Sequence, residues 1–313
     1  MAEKRNKNRF FGGLLGRSQK FIELREWFNQ RLTIDARRDP GNSITLVDDT
    51  LLAIDSPQHL LRFISIAPFI LAWWGLFFYI IGSFGPNDSM ISHAHFVIKH
   101  NEDSKRHGRT FDTKRDLYYR TLIGSDGEGS KFSLIKSVSL YGSEGYRNRI
   151  YGEIVIMMFL LFISLVSTIF FLRLPRAADL YFDRQRRIVY SWRRGKVAAC
   201  HFDNLGYRET VYGLEFSLYG EHKKRNYWTM HFGLLPSGRP YFNTEDDNTE
   251  LMMQVFAFMD KGKNAIITGR RFLREPAKYY LYVDEKPENF EQRVEEILKR
   301  DHKLPELYTK YLD

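Results

Sequence analysis

The chain has 313 residues, a formal net charge of +9, a mean hydropathy of −0.40 and an aromatic content of 15%. Its one cysteine, Cys200, excludes an intramolecular disulfide framework and a four-cysteine zinc site. The low mean hydropathy excludes a protein made only of membrane helices, so any spans are outweighed by water-soluble structure.

Residues 1–17 are basic and contain Gly and Asn, a composition that predicts disorder, with Phe10, Phe11, Leu14 and Leu15 as surface anchors. From Ser18 a helix is expected: Ser18 can cap it, and Phe21, Leu24, Phe28 and Leu32 recur at helical spacing beside Trp27. Such a helix suits either a lipid surface or the face of a soluble domain, and the spacing leaves both open. Asp39-Pro40-Gly41-Asn42 is a turn, and residues 43–54 read as a short strand or an extended connector. Residues 63–84, FISIAPFILAWWGLFFYIIGSF, then run 22 positions without a charge, and residues 154–172, IVIMMFLLFISLVSTIFFL, run 19. About 20 apolar residues rising roughly 1.5 Å each cross a hydrocarbon core about 30 Å thick. The chain therefore reads as a two-pass membrane protein whose spans anchor it, since two helices alone enclose no pore. The first 30 residues lack a signal-peptide cleavage pattern, so the first span is expected to stay as an anchor.

The charges predict the orientation. Residues 1–62 carry 11 Lys/Arg against 8 Asp/Glu, and a dense basic flank from Arg173 to Lys196 follows the second span. The stretch leaving the first span holds only Lys99 before the very end of residues 85–104. Positive flanks stay inside, so both termini are expected in the cytoplasm and the intervening loop outside. The predicted divisions are a cytoplasmic N-terminal segment 1–62, a span 63–84, an exported loop 85–150, a span 151–172 and a cytoplasmic domain 173–313. In the loop, Gly85-Pro86-Asn87-Asp88 breaks the first span. His93, Phe96 and Ile98 suggest an alternating strand, and residues 131–141, KFSLIKSVSLY, suggest another over a thin core.

Period-two patterns at residues 179–182, 188–192, 197–202, 213–219 and 227–232 predict strands joined by polar turns. The pattern then becomes helical. Thr244 or Asp246 starts a helix with Leu251, Val255, Phe256 and Met259 on its stripe and Lys261-Gly262 at its end. A second helix is expected over residues 289–300, with Phe290, Val294, Ile297 and Leu298 apolar. The expected class is α-helical membrane anchor plus α+β soluble domain. The domain reads as an antiparallel meander closed by a C-terminal helix, of the kind seen in pleckstrin-homology-like rolls or in an α+β sandwich.

Catalytic chemistry finds little support. There is no phosphate loop ending in Gly-Lys-Ser/Thr, no nucleophile-elbow serine and no HExxH pair, and no cofactor is expected. Cys200 and His201 are neighbours on a strand and would face opposite sides, so Cys200 reads as a buried strand residue. His93, His95, His100 and His107 are the metal candidates, with His93 and His95 on one side of a strand, but no spacing matches a zinc motif. Glu153 at the edge of the second span reads as a paired interface residue. Binding leads are stronger. Arg184, Arg186, Arg187, Arg193, Arg194 and Lys196 on a hairpin beside a span would suit anionic lipid headgroups, or would simply enforce topology. Among aromatic residues Tyr207, Tyr212, Tyr219, Tyr227, Trp228 and Tyr241, half are expected in the core and the rest at a recognition surface, with Tyr219 and Trp228 as partner-binding candidates. Residues 173–313 hold 25 basic and 21 acidic residues, so nucleic acid is not an expected partner, while a homo-oligomer is compatible with the sequence.

Residues 178–205, ADLYFDRQRRIVYSWRRGKVAACHFDNL, carry a resemblance. A Phe-Asp-Arg strand, a basic turn and an Ile-Val-Tyr-Ser-Trp strand follow the exit Arg173-Leu174-Pro175-Arg176 from the second of two close spans. This arrangement, covering roughly residues 45–260, is similar to a family of two-pass inner-membrane proteins of Gram-negative bacteria associated with type VI secretion effector genes. The resemblance implies a pleckstrin-homology-like cytoplasmic domain and an immunity-type role: stoichiometric binding of a secreted protein toxin, without catalysis. It carries over no binding residues.

Overall fold

The computed structural model describes residues 18–31, 34–57, 62–210, 213–223, 226–239, 243–275 and 280–309. It divides into a unit of residues 1–65 with 172–313 and a unit of residues 66–171. The described strands are β1 (Gln19–Lys20), β2 (Ile44–Val47), β3 (Leu51–Ile54), β4 (Leu180–Asp183), β5 (Ile188–Arg193), β6 (Lys196–His201), β7 (Gly206–Thr210), β8 (Gly213–His222), β9 (Asn226–Leu234) and β10 (Phe272–Leu273). The helices are α1 (Arg25–Arg31), α2 (Ala67–Ser83), α3 (Asp88–Arg106), α4 (Thr113–Ile123), α5 (Lys131–Tyr141), α6 (Glu144–Arg173), α7 (Glu245–Lys261), α8 (Phe290–Leu298) and α9 (Leu304–Thr309).

All ten strands belong to the first unit and form one sheet in the order β1-β7-β8-β6-β5-β4-β3-β2-β10, with β9 on the other side of β8. Every ladder is antiparallel. β8 is long enough to pair twice on one side: Tyr207 of β7 lies opposite Phe216, and Ala199 of β6 lies opposite Tyr219. Residues 43–54 form the β2–β3 hairpin, turned by the Asp48 carboxylate, which accepts from the Thr50 and Leu51 amides. β3 then pairs with β4, Leu52 opposite Phe182, so strands from before and after the helical unit share one sheet.

One face of the sheet holds an aromatic core. Phe21 stacks on Phe256 of α7 with centroids 4.4 Å apart and meets the edges of Phe216 and Phe202. Phe21, Leu24 and Phe28 are all buried there, so of the two settings the spacing allowed, this segment packs on the sheet unit. It begins as a 3-10 turn over Phe21–Leu24 before α1. On the other face Tyr190 and Trp192 pack edge-on against Phe290, and Val294, Ile297, Leu304 and Tyr308 of the C-terminal helices are buried. α7 is bounded as its sequence predicts. Thr244 and Asp247 form a reciprocal capping box, three acids occupy the first turn, and Gly262 ends the helix at φ +85°.

The second unit is helical throughout its regular structure, which corrects the two strands expected at 93–98 and 131–141. Those residues lie in α3 and α5 because each segment begins with a cap: Asn87 accepts from the Met90 amide, and Ser130 and Ser133 form a capping box. Asp112 caps α4 in the same way. Phe84, Ala94, Leu122, Leu134, Val138, Ile150 and Met157 form its core. Asn101 and Arg120 both bond to Asp116, and Arg120 reaches Glu102, tying α3 to α4.

Both apolar runs are helical. α6 begins ten residues before its apolar run and spans 30 residues, about 45 Å at the standard rise. The two helices are long and apolar enough to cross a membrane. Trp74 of α2 donates its indole N–H to the Thr168 hydroxyl of α6 over 3.0 Å, a polar tie between otherwise apolar surfaces. Their outer faces are bare: Leu71 is 70% exposed, Tyr79 73%, Val155 66% and Phe162 64%.

Candidate functional site

Within the sheet unit the six cations expected to act together lie at opposite ends of β5, whose six residues separate the two turns by roughly 20 Å. At one end the β4–β5 turn uses its arginines internally. The Arg184 guanidinium lies 3.4 Å from where a Cβ on Gly262 would sit, at the C-terminal end of α7, where a cation complements the helix dipole. Arg186 forks between Glu291 and Glu295 of α8, at 3.0 and 2.6 Å. Arg187 reaches Asp203 at 3.4 Å. At the other end the Arg193 guanidinium lies 5.1 Å over the Phe232 ring and is partly buried, which with the neighbouring Arg194 charge lowers its pKa. The Arg194 amide donates to the Asp284 carboxylate.

Lys196 alone of the six lines a cleft, of about 470 Å³, shared with Glu221, His222, Lys223, Tyr227 and Arg300. Its floor is organised by Glu221. Arg293 of α8 forks onto that carboxylate, and the Val197 amide donates to it over 3.0 Å. Burial opposes the Glu221 charge, but the bonds from Arg293 and Val197 outweigh it and hold the carboxyl below its usual range. Tyr219 stacks under Tyr227 with centroids 5.7 Å apart, and the Arg300 guanidinium lies 4.7 Å over the Tyr227 ring. Among the described residues no carboxylate pairs with Lys196, Lys223 or Arg300.

The aromatic candidates divide. Tyr207 and Tyr219 are buried, so Tyr219 is a packing residue and not a partner-facing one. Tyr227 and Trp228 are half-buried, and Tyr212 and Tyr241 lie outside the described residues. The four histidines do not converge. On α3 His93 and His95 point about 200° apart, not to one side of a strand. His93 packs on Tyr119, His95 bonds to the Gly127 carbonyl, His100 stacks on Phe96, and His107 bonds to the Asp103 carbonyl. Among the described residues no group of three or more His, Cys, Asp or Glu side chains is placed to hold a metal ion.

Two further polar groups went unread in the sequence. Ser217, His231 and Glu215 meet across β8 and β9, but Ser217 Oγ and Glu215 both contact the same His231 nitrogen, Nδ1, at 3.0 and 3.2 Å. A hydroxyl-activating relay needs one partner on each ring nitrogen, so this grouping is a cross-strand bond, with Arg208 completing it at 2.7 Å from Glu215. Where the chain leaves and re-enters the sheet unit, Arg62 is 1% exposed, donates to the Leu174 carbonyl and lies 4.6 Å over Tyr280. Beside it Arg176 bonds to Asp179 at 2.9 Å, and Asp179 accepts from Thr45 at 2.8 Å. Cys200 is fully buried, and burial, with the Asp301 charge, pushes its thiol well above the ordinary value. His201 bonds to Asp301 instead.

No protein-family model, curated protein or solved structure matches the chain.

Proposed function

We propose that this chain is an inner-membrane protein held by the α2–α6 hairpin, with both termini in the cytoplasm, and that it neutralises a secreted protein toxin by binding it. Anchoring is carried by one observation: β3 and β4, from either side of the helical unit, pair strand to strand, while the helices between them keep large apolar side chains bare. Strands that share a sheet lie on one side of any bilayer the hairpin crosses. Bare Leu, Phe, Val and Ile at this density favour hydrocarbon over water by roughly 25 cal/mol per Å². The basic flank Arg173, Arg176, Arg193 and Arg194 supports the cytoplasmic side.

A binding role, not a catalytic one, is supported by the inert settings of the nucleophiles, Cys200 buried with a raised pKa and Ser217 buried beneath a one-nitrogen contact. The pleckstrin-homology-like reading of the sheet and the toxin reading rest on the resemblance in residues 178–205, with half-buried Trp228 as the remaining aromatic candidate for contact. The test is co-expression with any secreted effector found encoded in the same locus. Cells carrying the protein are expected to survive, the toxin to co-sediment with the membrane fraction at neutral pH, and the protein itself to stay in that fraction after alkaline extraction. Killing at full expression, or release of the protein by alkaline extraction, overturns the reading.

A further inference from the structure

The sheet unit neutralises most of the charge it concentrates: Arg186, Arg187, Arg208 and Arg293 each meet a carboxylate. The cleft between the β5–β6 turn and the β8–β9 connection gathers three cations that, among the described residues, form no carboxylate ion pair. Its one acid, Glu221, is shared between Arg293, the Val197 amide and the Lys196 charge, so Lys196, Lys223 and Arg300 outnumber it and leave a net positive charge facing about 470 Å³. Three like charges around one concavity repel, and an anion at the centre relieves that repulsion. The arrangement is also partly fixed. The Arg300 guanidinium is held on Tyr227, which stacks in turn on the buried Tyr219, so its donors reach the cleft with less rotamer freedom to lose.

We propose that Lys196, Lys223 and Arg300 form a binding site for a phosphate-bearing anion, a phosphomonoester or diphosphate group held by charge-assisted hydrogen bonds. This site is separate from the arginines of the β4–β5 turn and does not depend on the toxin reading. Two sources share the chemistry, a free phosphate compound and a lipid headgroup. The cleft lies at the end of the sheet where the return segment is tied down: Trp192 donates to the Asp284 carbonyl, the Arg176 amide to the Tyr282 carbonyl, and the Asp284 amide to the Arg176 carbonyl.

The test is calorimetric titration of the full-length protein in neutral maltoside micelles with inorganic pyrophosphate and with dibutanoyl phosphatidic acid. Saturable binding is expected for at least one probe. It is expected to weaken roughly tenfold or more in Lys223→Ala/Arg300→Gln, and to stay unchanged in Arg38→Gln, an exposed cation elsewhere. Matching melting temperatures of the three proteins separate lost binding from lost folding. Tighter binding of the phosphatidic acid assigns the site to a headgroup, and equal or tighter binding of pyrophosphate to a free phosphate compound. Absence of saturable binding with both probes, or undiminished binding by the double variant, overturns the site. Neither result bears on toxin capture, which is read by protection of cells.

Discussion

Asp179 is buried between the Thr45 hydroxyl and the Arg176 guanidinium with Asp55 close by, and burial outweighs the attraction of Arg176, so its carboxyl rises from 3.8 to about 6. The folded chain then keeps a proton that the unfolded chain has lost. Its contribution to stability is full below about pH 4, falls as pH rises through about 6, and is flat above that. Asp179→Asn keeps an acceptor for Thr45 but cannot titrate. Its melting temperature is expected to fall less than the parent's between pH 4 and 7, and parallel curves would show that another group sets the slope. This residue was not legible in the sequence, because what raises its pKa is the neighbourhood of residues 45, 55 and 176, which only the fold assembles. The arginines illustrate the same limit. Their sign was legible, but the carboxylates that absorb Arg186 sit more than 100 positions away in α8. Tyr219 was misassigned for a related reason: an aromatic on a strand suits a core and an interface equally, and the stacked Tyr227 decides it.

Elements were legible where a cap and a periodicity agreed. α7 has both, and its capping box gives a direct expectation: Thr244→Ala should cost about 1 kcal/mol in a denaturant titration, while Thr244→Ser should cost little. An unchanged midpoint for the alanine variant would mean that the helix end is held by packing alone. α3 and α5 were misread because Ser, Val and Ile alternate over short stretches. The better signal was local: Asn87, Asp112 and Ser130 each stand just before a helix, and Leu134 and Val138 recur four apart on its buried side. β7 was missed because in Gly206-Tyr-Arg-Glu-Thr210 the two strand formers, Tyr207 and Thr210, are separated by Arg208 and Glu209 and do not alternate, and its place comes from pairing along β8. Gly142, between α5 and α6, has a structural cause of its own, since a Cβ there would lie 2.5 Å from the Val138 carbonyl oxygen.

At the scale of the whole molecule the two apolar runs were the most legible feature, and the union of the segments flanking them in one sheet was the least. Pairing of β3 with β4 joins residues more than 120 positions apart, and nothing in the composition of either strand names the other. It yields an orientation experiment. Cys200 is buried and stays silent to thiol reagents in the native state, so single cysteines can be added to the natural background. In intact cells an impermeant maleimide is expected to label Lys114→Cys, exposed on α4, and to spare Arg38→Cys, exposed in the sheet unit, until the membrane is opened. Labelling of Arg38→Cys in intact cells would invert the orientation. The same pairing also imposes an order on biosynthesis. β2 and β3 leave the ribosome with both outer edges unsatisfied, β3 awaiting β4 and β2 awaiting β10, and at 5–20 residues per second β4 follows roughly ten seconds later. Through that interval the hairpin is an open template for any passing strand. Completion of the sheet is thus conditional on synthesis of α6, and a chain stalled or cut within the helical unit carries an exposed edge by which quality-control proteases can recognise it.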